Sequence, residues 1–192
     1  GKLFVTLEAT FEAGTEEVDV PDDPSLPPGA PATVAAPYIG GSLGAGLIGK
    51  VPAGPGYVLF GCELILGGKL VQPVTVDGVT TGELKKGYIE LRALIGYQIG
   101  KSIGPFKAKS SIGVGPAVRY DGDWKYGGFL TMDAIVYVAV VKISIFAEFL
   151  ALFFEKAGDR MVAWEGEIGI SVKVCWFLSI KMSVAVSDED KL

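Results

Sequence analysis

The sequence lacks histidine altogether and contains only two cysteines, Cys62 and Cys175, in 192 residues. Without imidazole, neither a Ser-His-Asp triad nor a Cys-His pair nor a histidine-based zinc site can form. Two cysteines allow at most one disulfide and cannot build a four-cysteine metal site. We therefore expect a protein that is not an enzyme and that needs no cofactor or metal ion.

Charge is also scarce. Charged residues make up 20% of the chain, 17 basic against 22 acidic, for a net charge of -5. No basic stripe is present to neutralise phosphates, which excludes a nucleic-acid partner. Hydrophobic residues make up 49% of the chain, and the mean hydropathy of +0.42 is high for a soluble protein.

What the sequence has in abundance is alternation. "KLFVTLEATFEAG" and "WEGEIGISVKVCWFLSIKMSVAVS" place apolar and polar residues at almost strictly alternating positions, which is typical of β-strands. Similar segments, separated by turn signals, recur along the chain, and no convincing helical period appears. The pattern predicts one all-β domain over 1–192, with about eight antiparallel strands in an up-and-down meander that forms a barrel or a sandwich.

Several boundaries follow from local signals. The acidic, proline-rich segment 14–33 is predicted to be a long loop, and Gly67-Gly68 a tight hairpin turn. Residues 126–154 and 161–187 are predicted to form one extended hairpin (126–187). Within it, Cys175-Trp176-Phe177 breaks the alternation and is predicted to be a bulge or bend.

Three motifs suggest chemistry. "GAGLIGK" (44–50) fits a phosphate-binding pattern but lacks the helix that must follow, so we interpret its glycines as one small strand face. Glu165 and Glu167 share a strand face with the spacing of an acid–base pair, or form a solvated face paired with Lys142, Lys173 or Lys181. Asp121, Asp123 and the acidic residues of 14–33 could ligate calcium, or simply occupy turns.

Residues 126–187 run from a glycine-led strand through "FFEKAGDRMVAWEGEIGISVKV" to an aromatic pair and "LSIKMSVAVS". This order resembles the β-rich segments of very large, uncharacterised bacterial proteins. The resemblance covers about a third of the chain, carries no catalytic residue across, and implies a structural segment of a larger assembly.

Apolar strand faces exceed what one small core needs, so we expect a non-enzymatic structural protein that packs against sister subunits or a partner. The candidate contact residues lie in the two long C-terminal segments: Val136, Val138, Val140, Phe146, Leu150, Ile170, Val172, Trp176 and Ile180. We expect a homo-oligomer or part of a larger assembly, at the cell surface, outside the cell or in an outer membrane.

Two alternatives remain open. An eight-stranded outer-membrane barrel would explain the aromatic residues near the strand ends: Phe106, Tyr120, Trp124, Tyr126 and Phe129. Against it stand two consecutive short connections, a segment (134–154) that is apolar on both faces, and the charged end "SDEDKL". A soluble β-barrel that holds a lipid or another apolar ligand is the other alternative.

Overall fold

In the computed structural model of this chain, the structure describes residues 1–21, 24, 26–29, 31–82, 84–174 and 178–192. The strands are β1 (Lys2–Asp19), β2 (Thr33–Ala53), β3 (Gly56–Val71), β4 (Thr75–Val76), β5 (Val79–Thr80), β6 (Leu84–Ile103), β7 (Phe106–Tyr120), β8 (Trp124–Val138), β9 (Val141–Lys156), β10 (Asp159–Val174) and β11 (Leu178–Lys191). Among the described residues, no helix has the length and apolar character needed to cross a membrane.

Nine of these strands form one antiparallel sheet in chain order, β1-β2-β3-β6-β7-β8-β9-β10-β11, and β4 and β5 form a separate small hairpin. The sheet curls into a half-barrel with β1 and β11 as its two edges. The predicted all-β meander with a C-terminal hairpin is therefore confirmed, and the hairpin consists of β10 and β11.

Three predicted boundaries are wrong. Gly67 and Gly68 lie inside β3, which continues to Val71, so they form no hairpin turn. The loop predicted over 14–33 is shorter, because β1 continues to Asp19 and β2 begins at Thr33. The segment 126–187 contains four strands instead of two, since the chain also reverses between β8 and β9 and between β10 and β11. The bulge predicted at 175–177 lies outside the described residues.

The connections differ between the two ends of the sheet. At one end, which we call the short-turn end, two residues each join β2 to β3, β6 to β7 and β8 to β9. Gly54 and Gly104 enter these turns with φ of 55°, and Ala139 with φ of 52°, the left-handed region that tight hairpin turns require. At the other end, the loop end, lie the long connections 20–32 and 72–83 together with the turns 121–123 and 157–158.

The register places every second residue of neighbouring strands on a common face. One row across the sheet runs from Leu43 through Leu66 and Ile89 to the paired Tyr120 and Trp124. All five side chains are exposed. Because the strands alternate with period two, this row and its equivalents define one continuous apolar face. The opposite, polar face lies on the inside of the curl.

The small core sits on the inside of the curl. Ala117, Phe129, Leu150 and Leu152 form one buried cluster, and Leu94 packs against it. A second cluster near the loop end contains Val18, Ala36 and Val71. The chain exposes 12433 Å², whereas a compact monomer of 20.2 kDa would expose about 8,800 Å². The half-barrel therefore leaves a large surface that a closed globule would bury.

Candidate functional site: an apolar outside and a charged inside

The outside of the curl, here called the convex face, is apolar from one edge strand to the other. Its exposed members include Leu3, Val5, Leu7, Phe11, Ile39, Leu43, Leu47, Val51, Phe60, Leu64, Leu66, Ile89, Leu91, Ile95, Ile99, Ile112, Val114, Met132, Val136, Ile145, Phe149, Phe153, Ile168, Met182, Val184 and Val186. The largest exposed patch on a typical soluble monomer is far smaller, about 300–600 Å².

Charged residues on the convex face begin only near the ends of the strands. On the described strands the first ones occur toward the loop end at Glu17, Lys85, Glu155, Arg160 and Asp188, and toward the short-turn end at Lys101. On the convex face of β8 the uncharged stretch runs from Trp124 to Val138. That length corresponds to about 46 Å along the strand, or roughly 33 Å in height at a tilt of about 45°. The hydrocarbon core of a bilayer is about 30 Å thick.

Aromatic rings mark the loop-end border of this apolar face. The ring centroids of Tyr120 and Trp124 lie 5.1 Å apart, and those of Trp124 and Tyr126 lie 6.3 Å apart. Phe106 is exposed at the short-turn end of the same strand pair. The aromatic cluster predicted from the sequence is thus present, except that Phe129 lies on the opposite face and is 5% exposed.

The inside of the curl, here called the concave face, carries a network of paired charges. Glu90 of β6 is completely buried and accepts hydrogen bonds from Nε of Arg92 and from Nε of Arg119, the latter at 2.5 Å. Arg92 also donates to Glu148 at 2.6 Å. Arg119 makes a bidentate pair with Glu165, with Nη2 3.0 Å from Oε2. Five charged groups from four strands are thereby linked across the face.

Aromatic rings complete this network. The Arg92 guanidinium lies 5.1 Å from the centre of the Phe129 ring, and that of Arg119 lies 4.6 Å from the Tyr88 ring. Stacking on a ring face suits a flat guanidinium whose edges are occupied by carboxylates. Among the described residues, no buried side-chain nitrogen or oxygen lacks a hydrogen-bond partner. The buried polar groups of the concave face are therefore all hydrogen-bonded.

A second ion cluster lies nearer the loop end, beyond the apolar stretch of β1. Glu16 accepts hydrogen bonds from Lys69 at 2.8 Å and from Lys86 at 2.5 Å, which joins β1, β3 and β6. These two bonds lower the pKa of the Glu16 carboxyl below its usual range, although partial burial opposes the shift.

The concave face encloses open space. A cavity of about 460 Å³ is lined by residues from both halves of the sheet, including Glu12 of β1, Tyr38 of β2, Glu165 of β10 and Ser187 of β11. A second cavity of about 290 Å³ lies beside it, next to Thr10, Lys86 and Asp121. Strands far apart in the sheet thus face one another across a polar interior.

The structure separates the predicted contact residues. Val136, Val138, Ile170, Val172 and Ile180 belong to the convex face. Val140 lies in the turn between β8 and β9 and is 67% exposed. Phe146 and Leu150 point to the concave side, where Leu150 is 2% exposed and is not available to a partner. Trp176 lies outside the described residues. The nine residues therefore do not form one surface.

The predicted motifs have structural explanations. "GAGLIGK" lies within β2, where a Cβ on Gly46 would come within 2.6 Å of Thr6 Oγ1, so this face must remain small. Glu165 and Glu167 do share the concave face, but Glu165 pairs with Arg119 instead of a lysine. Lys173 lies directly opposite Lys142.

The calcium hypothesis rested on acidic loops. Asp121 pairs with Lys125 at 3.0 Å and Glu16 with two lysines, while Asp22 and Asp23 lie outside the described residues. Within the described part of the chain, no cluster of three or more acidic or cysteine side chains could hold a metal ion. Cys62 is a free, exposed cysteine on the convex face.

The sequence reasoning missed the central residues Glu90, Arg92 and Arg119. The sequence did indicate that these three charges share one polar strand face, because they alternate with apolar residues such as Ile89, Leu91 and Val118. Alternation alone does not tell whether a polar face lines an interior or contacts bulk water.

Comparisons of the chain with protein-family models, with curated proteins and with solved structures found no match.

Proposed function

We propose that this chain forms part of the wall of a membrane-spanning β-barrel. The convex face contacts lipid acyl chains, and the concave face lines a polar interior. The observation that carries the proposal is the continuous uncharged convex face, of about bilayer height, opposite a buried network of Arg–Glu pairs. The two long connections, 20–32 and 72–83, lie at the same end of the sheet and add support, because membrane barrels concentrate their longer loops at one end.

Curvature argues against the assembly of soluble subunits through apolar faces. Two convex surfaces meet along a narrow line, so sister subunits that packed through this face would leave most of it exposed to water. Lipid chains, in contrast, cover a convex surface completely. The polarity of the interior argues against a soluble barrel for an apolar ligand, because the cavity is lined by groups such as Lys69, Arg119 and Glu165.

The edges of the sheet must also be paired, since an unpaired backbone N–H or C=O costs several kcal/mol in hydrocarbon. Both β1 and β11 run from the short-turn end to the loop end. We propose that two copies related by a twofold axis along the barrel close the wall. β1 of each copy then pairs in parallel with β11 of the other. The curl supports this arrangement, because one copy already forms a half-barrel.

Light scattering on the purified chain, first in buffer and then in mild detergent, tests both parts of the proposal. We expect aggregation in buffer and a protein mass of twice 20.2 kDa in detergent. A monodisperse species in plain buffer would contradict the membrane proposal. A monodisperse monomer in detergent would contradict the closure of the wall by two copies but not the proposal that the convex face contacts lipid.

A further inference from the structure

The concave face is divided into two regions of different charge. Glutamates are concentrated in its middle and toward the loop end, where Glu16, Glu90, Glu148 and Glu165 all have cationic partners. The short-turn end instead carries lysines on five strands. They are Lys2 on β1, Lys50 on β2, Lys107 and Lys109 on β7, Lys142 on β9 and Lys173 on β10.

The register places these six lysines, here called the lysine ring, on the concave face. Lys2 lies directly opposite Lys50, and Lys142 directly opposite Lys173. Lys107 and Lys142 both lie opposite Tyr137 on β8. Like charges placed directly opposite one another destabilise a sheet, so nothing in the sheet itself favours this arrangement.

Contacts bring the lysines together in space. The ammonium groups of Lys109 and Lys142 lie 5.9 Å and 6.0 Å from the centre of the same Tyr137 ring. Lys50 lies 4.3 Å from the Tyr57 ring and donates to Gln98, which lies directly opposite Ser111, two residues from Lys109. Lys50 of β2 therefore reaches across β3 toward the lysines of β7.

Acidic groups do not compensate for this charge. Within the described part of the chain, none of the six lysines forms an ion pair, whereas Lys69, Lys86 and Lys125 nearer the loop end all do. Asp133 also lies on this part of the concave face, and it accepts a hydrogen bond from Ser111. The lysine ring therefore has an unmatched positive charge that faces the interior.

We propose that the lysine ring binds polyvalent, phosphate-bearing anions at the short-turn mouth of the interior. Ammonium groups on flexible stems recognise phosphate as point charges, and rings of Lys or Arg are a means of selecting anions and phosphates in pores. This inference rests on the proposed function, because a closed wall of two copies would turn the half-ring into a complete one. Anionic lipid head groups are less suitable occupants, since these lysines point away from the lipid-facing side.

Inorganic tripolyphosphate provides a direct probe. Its binding is measured by titration calorimetry at low salt, with the chain in neutral detergent that contains no phospholipid. The test variant replaces Lys107, Lys109 and Lys142 by Gln. The charge-matched control also replaces three lysines by Gln: Lys101, on the convex face of the same end, and Lys156 and Lys191 at the loop end.

We expect the original chain to bind tripolyphosphate with an affinity that falls as salt rises. The test variant should bind at least about tenfold more weakly, and the control should stay within about twofold. No binding by the original chain, or an equal loss in both variants, overturns the inference. Because tripolyphosphate binding is measured without a bilayer, its result does not depend on whether the chain inserts into a membrane. If binding instead requires vesicles of anionic lipid, a head group is the ligand and the soluble-anion proposal is wrong.

Discussion

Glu90 is the residue on which the concave network depends most. It is completely buried and bridges two arginines, each of which also binds an outer carboxylate, Glu148 or Glu165. Removing one partner of a buried ion pair leaves an uncompensated charge, which costs about 3–5 kcal/mol.

We therefore expect Glu90→Gln to lower the free energy of unfolding by several kcal/mol, whereas Glu148→Gln, at the more exposed end of the chain of pairs, should cost about 1 kcal/mol. Denaturant unfolding in detergent measures both values. Equal effects of the two substitutions would show that burial of Glu90 does not decide the energetics.

Glu16 gives a prediction about pH. Its hydrogen bonds to Lys69 and Lys86 lower the pKa of the carboxyl in the folded state. A carboxyl with a lowered folded pKa contributes stability above its unfolded pKa of about 4.3, and that stability is lost as pH falls through the folded pKa.

The stability difference between the original chain and Glu16→Gln should consequently be constant near neutral pH and should shrink as pH falls below about 4. Unfolding curves at a series of pH values measure it. Glu17→Gln, the next residue on the opposite face of β1, is the control. A difference that grows on acidification would refute the assignment of this ion cluster.

At the scale of the strands, the sequence predicted that strands are present better than it predicted where each strand begins and ends. Alternation identified β1, β6 and β7 because one face is consistently apolar along each of them. Gly67-Gly68 misled the prediction, because a glycine pair signals a turn locally. In the sheet, a Cβ on Gly67 would come within 2.2 Å of the Tyr88 ring on β6. This requirement arises from a neighbouring strand and is absent from the local sequence.

The opposite error occurred between β8 and β9, where the sequence analysis did not predict a turn that the structure has. It is formed by Ala139 and Val140, with Ala139 at φ of 52°, and it contains no glycine, proline or asparagine to signal a reversal. The uninterrupted apolar run across this turn was therefore predicted to be a single strand. The pairing of Val138 with Val141 closes this turn, and it depends on the whole β8–β9 register.

Gly67→Ala tests the position of β3 in the sheet. We expect it to destabilise the fold by about 1–3 kcal/mol, because the new methyl group overpacks against Tyr88. Gly87→Ala is the matched control, since its Cβ would meet its nearest neighbour at an ordinary 3.8 Å. Unfolding in detergent compares the two. A neutral Gly67→Ala would indicate that this glycine lies in an open turn after all.

At the scale of the whole molecule, the sequence identified two faces on each strand but not which face points inward. That choice depends on the direction in which the nine strands curl, and curvature is a property of the assembled sheet. The candidate contact residues were therefore divided between the faces, and the buried network of Glu90, Arg92 and Arg119 was not predicted. The apolar surplus itself was predictable from composition and alternation.

An added charge should destabilise the protein far more on the convex face than on the concave face. Ile95→Lys places an ammonium group in the middle of the apolar stretch of β6 and should cost about 2–4 kcal/mol of stability in a bilayer. Gln98→Glu, three residues along the same strand but on the concave face, adds a charge beside the Lys50 ammonium group and should cost much less. Folding into phospholipid vesicles at increasing urea measures both. Equal tolerance of the two substitutions would contradict lipid contact at Ile95.

The most direct test of the account is the depth-dependent quenching of a single tryptophan by brominated lipids. Trp124, Trp164 and Trp176 are first replaced by Phe, and one tryptophan is then introduced as Ile95→Trp or as Gln98→Trp. If the convex face contacts lipid, bromines in the acyl chains quench the fluorescence of Ile95→Trp strongly and that of Gln98→Trp weakly. Weak quenching at Ile95, or stronger quenching at Gln98, would show that the apolar face does not lie against the membrane.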